Sequence, residues 1–218
     1  GLAIAYTRLP EISSLQDYRP KLPLRVCTSE GNLISEIGEE RRIYLPFSET
    51  PKIMKDAILA VEDARFYEHH GVDYTGVLRA AIANFSRAKS QGASTITMQV
   101  ARNVYLSSEK TLTRKLYEIL LAFKMEHALS KDQILEIYLN QIFLGNRAYG
   151  FAAASEAYFG KPIKDINLAE AAMLAGLPQA FQILDTQDQL SAVKRVIKGL
   201  KYDEEKVIPK QTTWFIAN

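Results

Sequence analysis

Apolar residues recur every three or four positions along most of the chain after residue 48, which is the spacing of an amphipathic α-helix. The first such stretch follows Thr50 and Pro51, a pair typical of a helix N-cap and first helical residue. Its apolar stripe comprises Ile53, Met54, Ala57, Ile58 and Val61. We therefore predict a helix here with one face in the core.

The same spacing predicts helices on either side of a loop with the sequence SQGAST. One helix is predicted from Tyr74 to Ala88, and the next follows the loop with Ser94 as its N-cap. A longer helix is predicted from Leu112 to Leu129. Its expected apolar face carries Leu116, Ile119, Leu120 and Phe123.

The last predicted helices carry distinct start and stop signals. Ser130 and Gln133 have the spacing of a capping box at the start of QILEIYLNQIF. The helix in AYGFAAASEAYFG is predicted to end at Gly160. The helix in NLAEAAMLAGLP is predicted to start with Asn167 as its cap and to end at residues 176–178.

Residues 10–47 have a different pattern. Apolar residues alternate with polar ones on either side of SEGN, which predicts a β-hairpin followed by an extended segment. Prolines at positions 20, 23 and 46 also argue against a helix. We therefore predict a mainly α protein, with an N-terminal linker and β-hairpin segment at 1–47 and a helical domain at 48–218.

Composition excludes several classes of protein. The net charge of +2 is too small to suggest a nucleic-acid partner. Cys27 is the single cysteine, which excludes an internal disulfide and is too little for a zinc site. No run of 18 apolar residues is present, so no transmembrane helix is predicted within the chain. The short apolar start GLAIAY fits either the end of a membrane anchor or an arbitrary boundary.

The stretch AVEDARFYEHHGVD places two adjacent carboxylates, Glu62 and Asp63, at the end of an apolar helix. Desolvation in such a place raises the pKa of a carboxyl group, which suits a general acid or base. His69 and His70 lack an HExxH pattern and a cysteine partner. We therefore interpret these histidines as structural or hydrogen-bonding residues rather than metal ligands.

The stretch QGASTITMQVARN predicts an anion site. A glycine-containing loop leads into Ser94 and Thr95 at a helix start, where backbone N–H groups favour a negative charge. Gln99, Arg102 and Asn103 are three or four positions apart and share a face of that helix. Phosphate suits this set of donors, and the alternative is an N-cap followed by an ordinary amphipathic helix.

The stretch TRKLYE places Glu118 four residues after Arg114 and three after Lys115. Alone, this spacing is typical of a solvated helix face with intrahelical ion pairs. Together with Glu62 and the anion site, it suggests two carboxylates around a basic patch. That combination fits glycosyl transfer from a phosphate leaving group or glycoside hydrolysis, and the spacing does not choose between them.

Five motifs occur in order along the chain: EDARFYEHHGVD, GASTITMQVARN, RKLYE, KDQILEIYLNQIFLG and NLAEAAMLAGLPQA. In order and spacing they resemble the peptidoglycan glycosyltransferase (family 51 type) domain of class A penicillin-binding proteins, most of all the 1A type. The resemblance implies a mainly α, two-lobed, lysozyme-like glycosyltransferase fold with the small N-terminal β-hairpin. It also implies a smaller lobe that sits partly in the membrane.

The reaction that the resemblance implies is polymerisation of lipid II into β-1,4-linked glycan strands, with inversion at C1 and release of undecaprenyl diphosphate. Glu62 matches the catalytic base and Glu118 the second glutamate. Arg114 and Lys115 match the basic pair near the diphosphate. The matching donor-site residues are Ser94, Thr95, Gln99, Arg102 and Asn103.

Four further residues of the first motif are expected to shape the surroundings of Glu62: Asp63, Phe66, His69 and Asp73. Another four match the fourth motif and are expected to be mainly structural: Lys131, Glu136, Tyr138 and Asn140. No metal ligands are assigned. The resemblance implies no required cofactor, with a divalent metal, Mg²⁺ or Mn²⁺, as an option near Glu118.

The implied partners are lipid II, the growing glycan chain, the membrane surface and a transpeptidase domain of the parent protein outside this chain. The implied location is the outer, periplasmic face of a bacterial membrane, with an N-terminal anchor helix that is not in this chain. Residues 82–92, with Phe85, are a candidate membrane contact, and the alternative is a helix end with Phe85 in the core.

Three departures and three alternatives accompany the resemblance. Met98 stands where the family usually has a second Gln, and Cys27 stands where an aromatic residue is usual. The match weakens after residue 180, so no site residue is assigned beyond it. The first alternative is a lysozyme-like or lytic glycosidase acting on peptidoglycan. The second is a transpeptidase, but SRAK and SSEK match SxxK without an accompanying KTG or SDN. The third is a non-catalytic module that docks on membranes.

Overall fold

The computed structural model describes residues 9–12, 15–16, 18–20, 22–31, 33–37, 40–76, 94–106 and 112–182. Helices predominate in these residues, which confirms the predicted mainly α class. The helices are α1 (Lys52–Glu62), α2 (Ile96–Tyr105), α3 (Leu112–Ala128), α4 (Lys131–Gln141), α5 (Phe151–Phe159) and α6 (Leu168–Gln182). Short 3-10 turns lie at Phe47–Glu49 and Ile163–Asp165.

The part of the chain that the structure describes contains four short strands, which form two small sheets. Strands β1 (Leu24–Cys27) and β2 (Leu33–Ile37) pair antiparallel, which confirms the predicted hairpin. The turn between them contains Gly31 with φ of +88°, a conformation that glycine adopts without strain. Strands β3 (Arg41–Arg42) and β4 (Ala148–Tyr149) pair in parallel.

The chain forms two compact units, as the resemblance implies. The first unit comprises residues 1–18 and 63–138, and the second comprises 19–62 and 139–218. The chain therefore passes from the second unit to the first between Glu62 and Asp63. The sequence-based division at residue 47 describes a different boundary and stays a prediction.

In the first unit, α2 packs against α3. Buried side chains of α2 include Ile96, Val100 and Ala101, and those of α3 include Leu121, Ala122 and Met125. Burial of this apolar surface drives the pairing of the two helices.

The apolar face predicted for α3 is wrong. Leu116 is 42% exposed, and Ile119 and Phe123 are only partly buried. The buried face instead includes Glu118, which is 1% exposed. A helix can turn a charged residue inward when oppositely charged groups accompany it, and Glu118 has two such neighbours in Arg114 and Lys115.

In the second unit, α1 packs against α6. Met54, Ala57 and Ile58 of α1 are buried, as the apolar stripe predicts, while Ile53 and Val61 are half-buried. The buried residues of α6 include Ala171, Leu174, Ala175 and Leu177. Alanines on this face let the helices approach closely.

The predicted end of the last helix is wrong, because α6 continues through Pro178 to Gln182. Proline has no N–H to donate to the carbonyl four residues earlier, so it costs helix stability. Burial of residues 171–178 against the core offsets that cost and keeps the helix intact.

Three predicted helix ends are confirmed. In the capping box, the Gln133 N–H donates to the Ser130 hydroxyl at 3.2 Å, and the Ser130 N–H donates to the Gln133 side chain at 2.8 Å. Asn167 and Glu170 exchange the same pair of bonds at 3.0 and 2.8 Å. Gly160 ends α5 with φ of +66°.

Two predicted N-caps are wrong by one residue. Helix α1 begins at Lys52, and the Thr50 hydroxyl donates to the Pro46 carbonyl at 3.0 Å instead of capping the helix. Thr95 rather than Ser94 caps α2, since its hydroxyl accepts the Met98 N–H. At α2 the hydroxyls of Ser94 and Thr95 can cap equally well, and the hydrogen bond from Thr95 to the Gly71 carbonyl decides between them.

Several sequence-based predictions lie wholly or partly outside the described residues. The helix predicted from Tyr74 is helical at 74–76, and its remainder to Ala88 is not described. The candidate membrane contact at 82–92, including Phe85, is also outside. Among the described residues, no helix has both the length and the apolar character needed to cross a membrane.

We predict that Asn140→Ala destabilises the protein by about 2–4 kcal/mol. Asn140 is 2% exposed; its side-chain oxygen accepts the Leu45 N–H and its amide donates to the Leu45 carbonyl, both at 2.8 Å. Truncation leaves two buried backbone groups without these partners. Urea denaturation measures the loss, and Asn167→Ala, which removes an exposed cap, should cost only about 1 kcal/mol. Equal losses for the two variants would contradict this account.

Candidate active site

The turn that follows α1 carries the first group of predicted site residues. Glu62 is the last residue of α1 and is half-buried. Asp63 follows it directly and is 6% exposed. The backbone at Glu62 is therefore fixed on one side by a helix and on the other by a buried residue.

Asp63 joins the turn to the start of α2. Both of its carboxylate oxygens lie 2.9 Å from His69 Nε2, which donates to them. Its Oδ2 also accepts the backbone N–H of Ile96 at 3.1 Å. A negative charge at a helix N-terminus is stabilised by the helix dipole, and a buried carboxylate needs such partners. The structure thus brings Asp63 and His69 together at the first turn of α2.

Phe66 is the apolar centre of the turn and is fully buried. Its ring packs edge-on against Tyr67 at 5.2 Å and against His69 at 6.3 Å between ring centroids. The Lys131 ammonium lies 4.4 Å from the centroid of the Phe66 ring, a cation–π contact. The packing of Phe66 therefore stabilises the His69 ring that holds Asp63.

Asp73 closes the turn. It forms an ion pair with Arg65 and accepts the Gly76 N–H at 2.8 Å. Burial would raise the pKa of the Asp73 carboxyl, but the Gly76 N–H and the Arg65 guanidinium outweigh burial, so the pKa lies below its ordinary value of 3.8. Asp73 therefore has a structural role in this state, at the start of the helix that follows.

Thr95 and Ser94 use their hydroxyl groups differently. The Thr95 hydroxyl donates to the Gly71 carbonyl at 2.6 Å and accepts the Met98 N–H at 3.2 Å. The Ser94 hydroxyl accepts from the Lys115 ammonium at 2.7 Å. The Thr95 hydroxyl thus bonds within the fold, whereas the Ser94 hydroxyl bonds to a cationic side chain.

The cationic cluster consists of Ser94, Arg114, Lys115 and Glu118. Lys115 Nζ lies 3.0 Å from Glu118 Oε2, and Arg114 Nε lies 3.2 Å from Glu118 Oε1. The Glu118 side chain is 1% exposed, whereas that of Lys115 is 42% exposed. One buried carboxylate therefore holds two cations, and the cluster keeps a net charge of +1 with an ammonium open to solvent.

The remaining predicted donor-site residues lie on α2 and differ in exposure. Gln99 is buried, Arg102 is half-buried and Asn103 is exposed. Met98 is 2% exposed and packs with Val72 and Ala122, so its departure from the family pattern concerns the core.

Two polar residues, Thr97 and Glu126, were not predicted from the sequence; Thr97 is fully buried, and the side chain of Glu126 is 7% exposed. The Thr97 hydroxyl donates to Glu126 Oε1 at 2.6 Å, and Lys131 Nζ lies 2.8 Å from the same oxygen. Thr97 follows Thr95 in the second motif, and Glu126 lies at the end of a helix, where charged residues are usually solvated. The available signal was the negative charge of Glu126 near a helix C-terminus, where the helix dipole disfavours it.

The described residues contain no cluster of three or more His, Cys, Asp or Glu side chains able to hold a metal ion. Each oxygen of Glu118 already faces a cation. The cofactor requirement of the protein, including the Mg²⁺ or Mn²⁺ option near Glu118, stays a prediction.

Comparison with known proteins gives consistent matches. Residues 30–201 match a family model described as Transglycosylase. Penicillin-binding protein 1A of Neisseria flavescens is 57% identical over 181 residues, which cover 83% of this chain and 23% of that protein. Penicillin-binding protein 1A of Escherichia coli (strain K12) is 47% identical over 208 residues, which cover 94% of this chain and 24% of that protein.

A solved structure also matches. The crystal structure of penicillin-binding protein 1A from Haemophilus influenzae aligns with a TM-score of 0.40 and 23% sequence identity, covering 91% of this chain and 21% of that one. The chain spans about a quarter of the length of the curated relatives it matches.

We predict that the stabilising effect of Asp73 depends on pH. Because its folded-state pKa is lowered, the ionised carboxyl stabilises the protein above its ordinary pKa, and this effect is lost as pH falls through the lowered value. Asp73→Asn keeps an acceptor for Gly76 but removes the charge that pairs with Arg65. Urea denaturation should show wild type more stable than Asp73→Asn at pH 7, with the difference shrinking as pH falls below the ordinary pKa of the carboxyl group. A constant difference would contradict this prediction.

Proposed function

This chain belongs to the Transglycosylase family, which confirms the predicted class of enzyme, a peptidoglycan glycosyltransferase. On that premise, we propose that it polymerises lipid II into β-1,4-linked glycan strands. The reaction joins the growing glycan chain to a further sugar unit, with inversion at C1 of the donor and release of undecaprenyl diphosphate.

The observation that carries this proposal is the cationic cluster. A diphosphate leaving group departs with the electron pair of the broken C1–O bond, so positive charge placed beside it lowers the barrier. Lys115 and Arg114 supply that charge, and Glu118 holds both in place. A glycoside hydrolase acting on a neutral sugar leaving group has no need of two cations fixed in this way.

Glu62 is proposed as the general base. Its carboxylate takes the proton from the C4 hydroxyl of the acceptor N-acetylglucosamine as that oxygen bonds to C1 of the donor N-acetylmuramic acid. The bond from C1 to the diphosphate breaks on the opposite face, which inverts the configuration. The position of Glu62 supports this role, because α1 ends at Glu62 and the next residue, Asp63, accepts the N–H of Ile96 at the start of α2.

The other predicted donor-site residues are proposed to bind the diphosphate and its sugars. Asn103 is exposed and Arg102 is half-buried on α2, which suits contacts to a polar ligand. The buried Gln99 and Thr95 are proposed to contribute by shaping the site. Asp63, Phe66, His69 and Asp73 are proposed to hold the turn that follows Glu62.

The setting of the enzyme is also a proposal. The curated relatives are named penicillin-binding protein 1A, and this chain spans about a quarter of their length. We propose that the parent protein carries a transpeptidase domain and an N-terminal membrane anchor. A substrate with a polyprenyl tail requires the site to lie at the membrane surface, on the outer face of a bacterial membrane.

We predict that Glu62→Gln lowers the rate of glycan polymerisation at least about 100-fold, because the amide cannot accept the proton. Gel analysis of products from labelled lipid II measures the rate. The matched control is Glu68→Gln, which makes the same change at an exposed residue of the same turn and should retain activity. Equal rates for wild type and Glu62→Gln would contradict the proposed base, and an inactive wild type would contradict the proposed substrate.

We also predict that Lys115→Met lowers kcat/KM for lipid II about 100-fold and that Lys115→Arg retains more of it. Methionine keeps most of the apolar length of the side chain but removes the charge and the bonds to Ser94 and Glu118. Arginine keeps the charge with a different geometry. Initial rates at varied lipid II give the parameters, and Lys164→Met, at an exposed position of the second unit, is the control. Wild-type kcat/KM in Lys115→Met would refute the role of the cluster.

A further inference from the structure

Three helices of the first unit meet at one carboxylate oxygen. Glu126 Oε1, on α3, accepts the Thr97 hydroxyl of α2 at 2.6 Å and the Lys131 ammonium of α4 at 2.8 Å. The exposed fraction of the Glu126 side chain is 7% and that of Lys131 is 17%. We call Thr97, Glu126 and Lys131 the three-helix network.

Local sequence preferences do not explain this network. Lys131 is the first residue of α4, where the helix dipole disfavours a positive charge. Glu126 lies in the last turn of α3, where the dipole disfavours a negative charge. Each charge therefore sits at the helix end that opposes it. Such breaks with local rules concentrate at sites where position matters more than stability.

The network is also a poor device for stability alone. Replacing a buried ion pair by apolar residues of similar volume is often neutral or stabilising, because the pair loses its hydration. What a paired carboxylate provides is geometry, since its hydrogen bonds have narrow limits of distance and angle. The Thr97 bond therefore sets the position of the first turn of α2 along α3.

The network reaches the turn that follows Glu62. The Lys131 ammonium lies 4.4 Å from the centroid of the Phe66 ring. That ring packs edge-on against His69, which donates to Asp63. The Lys131 ammonium thus contacts both Glu126, which accepts from Thr97 of α2, and the ring of Phe66 in the turn.

We propose that Lys131 is a positioning residue. It acts through Glu126 and Thr97 to hold the start of α2 in register with Arg114, Lys115 and Glu118 of α3, and through Phe66 to hold the turn that begins at Asp63. This inference rests on the proposed function. In this proposal the residues of the three-helix network act through other residues and not by contact with substrate. Ser94 immediately precedes Thr95 and bonds to Lys115, so a shift of the first turn of α2 would move Ser94 relative to the cluster.

The test compares Lys131→Met with Lys131→Arg in steady-state polymerisation of labelled lipid II. Loss of the ammonium should lower kcat about 10- to 100-fold while KM changes less than about threefold, because small displacements of reacting groups affect rate more than binding. Arginine pairs with carboxylates and stacks on aromatic rings, so it should restore kcat to within about threefold of wild type.

The matched control is Lys161→Met, which breaks the Lys161–Glu170 ion pair of the second unit, also 2.8 Å long. It should leave kcat within about twofold of wild type even where it lowers the melting temperature as much as Lys131→Met does. Equal kcat losses in these two variants, or wild-type kcat in Lys131→Met, would overturn the proposal.

Thr97→Val keeps the proposal testable where Lys131→Met fails to fold. This near-isosteric change removes one hydroxyl, and it should lower kcat about fivefold with a small change in melting temperature. When it is combined with Lys131→Met, Thr97→Val should lower kcat by less than a further twofold, since both residues act through Glu126. Unchanged kcat in Thr97→Val would overturn the proposal.

Hydrogen exchange separates this inference from the proposed function, because it needs no substrate. The backbone amides of residues 96–99 should exchange about tenfold faster in Thr97→Val and in Lys131→Met than in wild type. The amides of α6 should not change, and Lys131→Arg should restore slow exchange at residues 96–99. Unchanged exchange at 96–99 overturns the positioning role whatever the activity of the wild type. A wild type that fails to polymerise lipid II overturns the proposed function alone.

Discussion

Among the described residues of the first unit, three carboxylates are buried away from water, and the arrangement of the helices around them satisfies the need to pair each one. Asp63, Glu118 and Glu126 each have side chains that are at most 7% exposed. A buried carboxylate without partners is far too costly to persist, so each one requires donors from neighbouring elements. Asp63 obtains them from His69 and the start of α2, and Glu126 from α2 and α4.

These ionic contacts and the apolar core have different tasks. Contacts between α2 and α3, through residues such as Val100 and Leu121, supply the burial of apolar surface that favours folding. Apolar packing alone tolerates small slips between helices, whereas a hydrogen bond to a buried carboxylate does not. The carboxylates therefore select one register from those the core would accept. A site that must align a base, an acceptor oxygen and a leaving group benefits from that selection.

How far the sequence predicted this structure depends on the range of the interactions concerned. The Ser130–Gln133 box and the Gly160 helix end were predicted correctly, because their partners lie within a few residues. The burial of Glu118 and the passage of α6 through Pro178 were not, because packing between distant segments decides both. Spacing alone put Arg114, Lys115 and Glu118 on one face, but it favoured the solvated side of α3.

The candidate site shows the same limit at the level of single hydroxyl groups. Ser94 and Thr95 are adjacent, both suit an N-cap, and both match donor-site positions of the family. The carbonyl of Gly71, distant in sequence, accepts from Thr95 and so fixes which of them caps α2. Ser94 is then left to bond to Lys115, whose ammonium links it to the buried Glu118. The division of roles between two neighbouring hydroxyls is thus set by one long-range hydrogen bond, and it determines which of them stands beside the exposed positive charge.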